Sequence, residues 1–308
     1  MESSKTKQKI QIKKRTKDMI FIAIMAALPL LQYFVFYVCV NFNSIIMAFQ
    51  KNVMDPVTQT NTYVWLGLDN FSAGIDRLFG ADGMFFSCIK NSFIYYLCSL
   101  FVGTTLSLIF SYYIFKNKFG GKLFKVILFL PSIISSIVLI TMYKFFADIA
   151  IPEIFHLKVH LLSDKSTAFG TVLFYNVWAG FGSSILLYSG AMANISDSVM
   201  EAAELDGVTP VKAFLQIVVP MIFPTLKTFL ITGFTGLFIS DMGLFSFFGT
   251  QSEKYLWTFG YYLLRGARAS QQTDYPTLAA IGLMLTAVAV PLTLTFRRLL
   301  TKFGWSVD

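Results

Sequence analysis

Charge is scarce in this sequence of 308 residues, of which 14% are charged and 55% are hydrophobic. A soluble globular domain has roughly 25% charged residues, because its surface must face water. The scarcity excludes a water-exposed fold and an intrinsically disordered chain, and it predicts a surface that faces lipid. Cysteine is scarce too, which excludes a disulfide scaffold. Cys39, Cys88 and Cys98 lie in or beside apolar runs and are expected to be small buried side chains.

Groups that carry out chemistry are also few. Gly120-Gly121-Lys122 lacks the earlier glycine and the hydroxyl residue of a phosphate-binding loop. We therefore expect that this chain binds no cofactor and that another subunit supplies the energy. His156 and His160 have no third ligand nearby, so we expect no metal site. The apolar runs contain no histidine and no paired carboxylates, so we expect no catalytic residues and no enzyme activity.

Six apolar runs are each long enough to cross the roughly 30 Å hydrocarbon core of a membrane as a helix. The connections on one side of these runs hold 16 Lys and Arg residues, and those on the other side hold seven. Because basic residues remain in the cytoplasm, both termini are predicted to be cytoplasmic. The net charge of +8 then reflects topology, and we expect no nucleic-acid partner. The runs are 19–40, 89–115, 123–146, 169–192, 226–248 and 278–296.

The spans and connections divide the chain into segments with different expected roles. One cytoplasmic connection, residues 193–225, is much longer than the others and is called the coupling loop below. The full set is a basic cytoplasmic tail (1–18), a first span (19–40), an extracytoplasmic segment rich in turn-forming residues (41–88), a five-span core (89–296) that contains the coupling loop, and a cytoplasmic tail (297–308).

The coupling loop contains signals for two short helices. Ser198 and Glu201 have the spacing of a capping box, which predicts a helix that starts at Ser198. Gly207 is placed to end that helix in a left-handed conformation. Thr209 followed by Pro210 predicts a second helix with Thr209 as its N-cap.

Three acids gather in this loop, on a side of the membrane where Lys and Arg are favoured. Glu201, Glu204 and Asp206 suit a helix that fits a groove on a partner. They equally suit a solvated loop whose acids complement the positive end of a helix. The residue types alone leave both interpretations open.

The order of residues in the loop is more specific than their chemistry. Glu201-Ala-Ala-Glu-Leu-Asp206-Gly207, followed by Ile217, Pro220 and Pro224, resembles the EAA loop of permease subunits of binding-protein-dependent ABC importers. The segments beginning at Leu130-Pro131 and at Asn176-Val-Trp178 resemble the third and fourth spans of carbohydrate-type members. The resemblance runs from about residue 61 to the C-terminus. Ser196-Asp197 departs from it, because that family usually has Ile-Pro there.

The resemblance implies an all-α membrane protein of six transmembrane helices with the type I ABC importer permease fold, a MetI-like core plus one N-terminal span. It implies a multi-pass subunit of the bacterial cytoplasmic membrane in a sugar importer. The implied partners are a second homologous permease, two ATP-binding subunits that use ATP and Mg²⁺, an extracytoplasmic solute-binding protein and a carbohydrate substrate. The residues implied to couple this chain to the ATPase are Glu201, Ala202, Ala203, Asp206 and Gly207.

Polar groups inside apolar spans are costly in lipid and commonly line a transport pathway. Asp241 lies in the fifth run, and the aromatic and amide side chains of the fourth run could stack on and bond to a sugar. An ordinary interfacial aromatic belt would use the same residues. A non-sugar importer stays open as an alternative, as does an ion-coupled secondary transporter that uses Asp241. The candidate path residues are Asp241, Tyr175, Asn176, Trp178 and Tyr188.

Overall fold

The computed structural model describes residues 2–54, 61–80, 83–117, 119–269 and 274–304. The first helical segment is α1 (Glu2–Tyr33), which continues through a π-helical turn (Phe34–Cys39) into α2 (Val40–Met47). Residues 16–47 are apolar and long enough to cross a membrane, and their most apolar stretch buries none of its residues inside the chain. The first predicted span is therefore present as a helix, and it is longer than 19–40.

The predicted extracytoplasmic segment contains a hairpin that the sequence analysis missed. Strands β1 (Gln50–Met54) and β2 (Asn61–Trp65) pair antiparallel, and helix α3 (Asp69–Phe79) follows them. The buried Asn70 amide donates to the carbonyl oxygens of Ala48 (2.9 Å) and Gln50 (2.7 Å). These bonds tie α3 to the start of the hairpin.

Three more predicted spans are present as long helices. The second consists of α4 (Phe85–Cys98), a π-helical stretch (Ser99–Thr104) and α5 (Thr105–Phe115). The fourth is α9 (Ala168–Met192), and the sixth is α16 (Tyr275–Phe303). All three are long and apolar enough to cross a membrane.

The third predicted span, 123–146, is wrong as a single straight helix. It consists of α6 (Gly121–Ile133) and α7 (Ser136–Phe145), whose segments meet at a bend of 97°. Pro131 in the last turn of α6 removes a backbone donor, and residues 134–135 adopt an extended conformation. A π-helical turn (Phe146–Ala150) and α8 (Ile151–Ile154) follow.

The fifth predicted span, 226–248, is also wrong in its bounds. Helix α13 (Phe223–Ile239) ends nine residues early, and α14 (Leu244–Phe248) is a separate short helix after a turn. At its N-terminal end α13 meets the helical segment Pro210–Met221 at a bend of 73°. Over the described residues, four helices are long and apolar enough to cross a membrane, or up to six if each bent pair counts as one span.

The coupling loop has the two predicted helices. They are α10 (Asp197–Leu205) and α11 (Pro210–Ala213), and α11 continues through a π-helical turn (Phe214–Val218) into α12 (Val219–Met221). After α14, the outer connection contains a 3₁₀ turn (Lys254–Leu256) and α15 (Phe259–Ala269).

Two buried clusters hold the bundle together at opposite ends. One joins α7, α9, α14 and α15 at the end of the bundle away from the coupling loop, which is called the outer end after the predicted topology. The other joins α9, α10, α11 and α13 at the end that contains the coupling loop, which is called the inner end. Between them, α6 and α9 cross so closely that a Cβ at Gly182 would overlap the carbonyl oxygen of Leu128.

Candidate coupling surface and substrate path

The N-cap of α10 lies two residues earlier than the capping box predicts. Ser196 has the extended backbone of an N-cap (φ −67°, ψ 141°), and Asp197 is the first helical residue. Ser198 already lies inside the helix, with its hydroxyl 3.0 Å from the Ser196 hydroxyl. The predicted start at Ser198 is therefore wrong, because the extended residue that an N-cap requires is Ser196.

The predicted end of α10 is confirmed. Gly207 has φ +69°, and the amide of Val208 donates to the carbonyl oxygen of Ala203 at 3.0 Å. This bond is the long-range bond of a Schellman motif, which requires a left-handed residue at the glycine position. Thr209 is extended and Pro210 is the first residue of α11, as predicted.

The five predicted coupling residues do not share one environment. Glu201, Ala202, Asp206 and Gly207 are exposed, whereas Ala203 is only 5% exposed because it faces the bundle. Ala203 therefore packs inside the chain, and the outward face of α10 contains Glu201 and Ala202.

Leu205, which the sequence analysis left out, is 88% exposed on α10. Leu205 follows Glu201 by four residues, so the two side chains lie on the same face of the helix. Helical periodicity places this leucine on the acidic face of α10, and that pattern could have been recognised in the sequence.

At the outer end, the break after α13 is a turn with two consecutive left-handed residues. Met242 has φ +53° and is 1% exposed, and Gly243 has φ +67°. The carboxylate of Asp241 accepts a bond of 3.1 Å from the Gly243 amide, and the Ser240 hydroxyl accepts one from the Met242 amide. Asp241 is thereby held at the surface of the turn, partly exposed.

The outer half of α9 packs against this turn. The Asn176 amide donates to the carbonyl oxygens of Val172 (2.8 Å) and Met242 (2.9 Å). These bonds use both of its N–H groups, so only its side-chain oxygen remains to accept a bond. Asn176 therefore primarily supports the turn.

The two aromatic candidates nearby differ in exposure. Tyr175 is 5% exposed, and its ring lies 5.1 Å from the ring of Phe247, edge to face. Trp178 is partly buried and lines an apolar cavity of about 540 Å³ together with Tyr143 and Phe146. Of the two, Trp178 has the ring surface available to a ligand.

Tyr188 does not join this group. It is 2% exposed in the inner cluster, where its ring contacts that of Phe229 edge to face at 5.3 Å. Tyr188 lies 13 positions along α9 from Tyr175, so the structure places it away from Asp241.

Lys144 is a polar residue of the bundle that was not among the candidates. Its ammonium donates to the carbonyl oxygen of Phe247 at 2.6 Å, near the negative end of α14. A basic residue inside an apolar run is the signal that could have identified it.

The connection after α14 supports the turn from outside. The Thr258 hydroxyl donates to the Ser240 carbonyl at 2.8 Å. The buried Asn91 amide donates to the carbonyl oxygens of Tyr255 (2.7 Å) and Trp257 (3.0 Å). Burial raises the pKa of Tyr255, and the charges of Glu253 and Asp164 raise it further. The hydrogen bonds of Thr258 and Asn91 each join two different elements, so the connection after α14 fixes the position of the turn.

Metal ligands do not cluster in the part of the chain that the structure describes. Over those residues, no group of three or more His, Cys, Asp or Glu side chains is placed to hold a metal ion.

Comparisons with known proteins agree with this architecture. The model of the family described as "binding-protein-dependent transport system inner membrane component" matches residues 103–304. The probable ABC transporter permease protein YesP of Bacillus subtilis (strain 168) is 28% identical over 168 residues, 52% of this chain and 53% of the relative. The maltose/maltodextrin transport system permease protein MalF of Klebsiella aerogenes is 27% identical over 182 residues, 56% of this chain and 35% of the relative.

A solved structure has the same fold over nearly the whole chain. It is described as a bacterial ABC transporter involved in the import of the acidic polysaccharide alginate. The similarity has a TM-score of 0.75 at 20% identity and covers 95% of this chain and 98% of that chain. The identity is low enough that this similarity concerns the fold alone.

The long apolar helices define a helical membrane protein. With the family model matched over more than half of its length, the chain belongs to the inner membrane components of binding-protein-dependent transport systems. The resemblance inferred from the coupling loop is thereby confirmed. The chain spans about half the length of YesP and about a third of MalF.

Proposed function

We propose that this chain is a transmembrane subunit of an ATP-driven importer of di- or oligosaccharides. It forms the translocation path with a second homologous permease and is driven by two ATP-binding subunits that use ATP and Mg²⁺. An extracytoplasmic solute-binding protein delivers the sugar. The chain crosses the cytoplasmic membrane six times, with each bent pair as one span and both termini in the cytoplasm.

The observation that carries the proposal is the short helix α10, which packs on the bundle by one face and exposes the other. It has nine residues, begins at an N-cap serine, ends at the left-handed Gly207 and presents Glu201 outward. A short helix closed at both ends keeps its shape when it docks, because little backbone freedom is lost. Glu201 then pairs with a basic group in a cleft of the ATPase subunit, and closure of the two ATPases draws the coupling helices together.

A carbohydrate substrate is supported by the names of related proteins and by the outer turn. MalF belongs to a maltose/maltodextrin system, and the structural relative takes part in the import of alginate. In this chain, the Asp241 carboxylate can accept hydroxyl hydrogens, and the Trp178 ring can lie against the apolar face of a sugar. Tyr175 and Asn176 support these two groups from the same part of α9, whereas Tyr188 lies in the other buried cluster.

The test is reconstitution of the complete complex in proteoliposomes with ATP inside and sugar-loaded binding protein outside. We expect sugar uptake that requires ATP, and we expect Glu201→Ala to abolish uptake while the subunit still inserts into the membrane. Removing one partner of a buried ion pair costs about 3–5 kcal/mol, enough to undo docking. Uptake without ATP, or normal uptake by Glu201→Ala, would refute the proposal.

A further inference from the structure

Two residues one helical turn apart, at the inner end of α5, contact both helices of the coupling loop. The Lys116 ammonium lies 2.8 Å from the Glu204 carboxylate of α10. The Tyr112 hydroxyl donates to the carbonyl oxygen of Pro210, the first residue of α11, at 3.0 Å. Because residues four apart lie on the same side of a helix, one face of α5 meets the whole loop.

Apolar packing accompanies these two polar contacts. The rings of Tyr112 and Phe214 lie 5.0 Å apart, and both pack against a cluster that contains Met200 of α10 and Ala213 of α11. The Lys116 side chain is 23% exposed and its partner Glu204 is 68% exposed. An ion pair this open to water adds little stability by itself, so most of the stability of the loop comes from the apolar packing. The ion pair instead favours one position of α10 relative to α5.

The same segment of α5 is bonded to α9 on another face. The Ser111 hydroxyl donates to the carbonyl oxygen of Ile185 (3.1 Å). The Ser107 hydroxyl donates to Gly103 of its own helix at 2.7 Å and shares that proton with the carbonyl oxygen of Phe181 at 3.3 Å. Both serines are fully buried. Because α9 leads directly into the coupling loop, α5 contacts both the loop and the helix that precedes it.

We propose that Lys116 is a positioning residue that fixes α10 to α5, so that a displacement of α10 moves α5 and α9 with it. This rests on the proposed function, in which the ATPase subunit displaces α10. The two glutamates of α10 then have different roles. Glu204 bonds within the chain, whereas Glu201 faces outward toward the partner subunit.

A charge swap tests the proposal in the reconstituted complex. The readout is the number of sugar molecules imported per ATP hydrolysed, measured for Lys116→Glu, Glu204→Lys and the double variant. We expect each single change to lower this ratio about two- to fivefold, in line with an exposed pair, and the double variant to restore it. Lys125→Glu, on the neighbouring helix α6, is the matched control and keeps the wild-type ratio. Single variants with the wild-type ratio, or a double variant as poor as the singles, would overturn the proposal.

Amide hydrogen exchange of the same complex in nanodiscs separates positioning from other effects. We expect Lys116→Glu to speed exchange in α10, and Tyr112→Phe, which keeps the ring and removes the donor, to speed exchange in α11. Lys125→Glu should leave both unchanged. A fall in sugar per ATP without faster exchange in α10 would also overturn the proposal. Absence of ATP-dependent uptake by the wild-type complex would refute the proposed function instead, and the exchange measurement still reports on the Lys116 contact in that case.

Discussion

The Asn176 amide of α9 donates a hydrogen bond of 2.9 Å to the carbonyl oxygen of Met242, in the turn that ends α13. Met242 has a left-handed backbone, which is uncommon for a residue with a side chain, and it is almost fully buried. Such a conformation persists only where its surroundings hold it. Asn176 holds the turn from one side and Thr258 bonds to Ser240 from another, so Asp241 sits on a rigid support.

Replacing Asn176 by leucine tests this support. The substitution removes both amide donors and leaves the Met242 carbonyl without its side-chain partner. We expect a loss of about 1–3 kcal/mol in the free energy of unfolding, measured by thermal unfolding of the purified subunit in detergent. Ser183→Ala is the control on the same helix, because the Ser183 hydroxyl is exposed and bonds only to its own helix. Equal melting temperatures for Asn176→Leu and the wild type would contradict the support by Asn176.

The long helices could be predicted from the sequence because an apolar run of sufficient length is a local property. Helices α9 and α16 lie where their runs predict them. The end of α10 at Gly207 could be predicted for the same reason, since a left-handed glycine is recognised from its neighbours. Its start could not, because Ser196 and Ser198 are both suitable N-cap residues and only the backbone decides between them.

The break after α13 and the position of Asp241 could not be predicted, because both depend on contacts between residues that are distant in the sequence. Hydropathy continues across the turn at Met242, although the polar residues and glycine around it are typical of a turn. What ends α13 there is a set of bonds from Asn176 and Thr258, which are 66 and 18 residues from the atoms they contact. The hairpin was missed because its strands lack strict alternation of apolar and polar residues.

The crossing of α6 and α9 should tolerate no side chain at Gly182. A Cβ there would overlap the carbonyl oxygen of Leu128, which belongs to the backbone and cannot rotate away. We expect Gly182→Ala to destabilise the subunit by about 1–3 kcal/mol or to prevent its folding, measured by thermal unfolding and by yield after extraction.

Gly180 on the same helix provides the matched control. A Cβ at Gly180 would meet no other described residue within 4 Å. Gly180→Ala should therefore leave the stability unchanged or raise it slightly, because alanine favours a helix. Similar losses for the two variants would show that helix propensity, and not the close crossing, determines the result.

Gly207 should be required for its backbone conformation and not for its small size. A Cβ at this position would meet none of the described residues within 4 Å, but φ is +69°. We expect Gly207→Val to strain the end of α10 and to weaken association with the ATPase subunit about tenfold, measured by titration in nanodiscs. Gly207→Asn should bind almost as well as the wild type, because asparagine tolerates the left-handed region. Equal weakening by both would indicate that the partner surface itself excludes a side chain.

Loss of the polar group should destabilise the protein at Asn91 but not at its neighbour Ser92. Asn91 bonds to two carbonyl oxygens of the outer loop, whereas the buried Ser92 hydroxyl has no partner among the described residues. We expect Asn91→Leu to cost about 1–3 kcal/mol in the free energy of unfolding and Ser92→Ala to be neutral, in thermal unfolding of the detergent-solubilised subunit. A large loss from Ser92→Ala would mean that its hydroxyl has a partner, such as an internal water.

Asp241→Asn separates the sugar importer from an ion-coupled transporter. Asparagine keeps the side-chain oxygen that accepts the bond from the Gly243 amide, so the turn should be preserved while the charge is lost. Because a neutral amide accepts hydroxyl hydrogens more weakly than a carboxylate, we expect KM for the sugar to rise about five- to tenfold, with uptake still dependent on ATP. The measurement is uptake into proteoliposomes with ATP inside, with and without an ionophore that collapses ion gradients. Wild-type uptake that the ionophore abolishes despite ATP would favour a role for Asp241 as an ion relay.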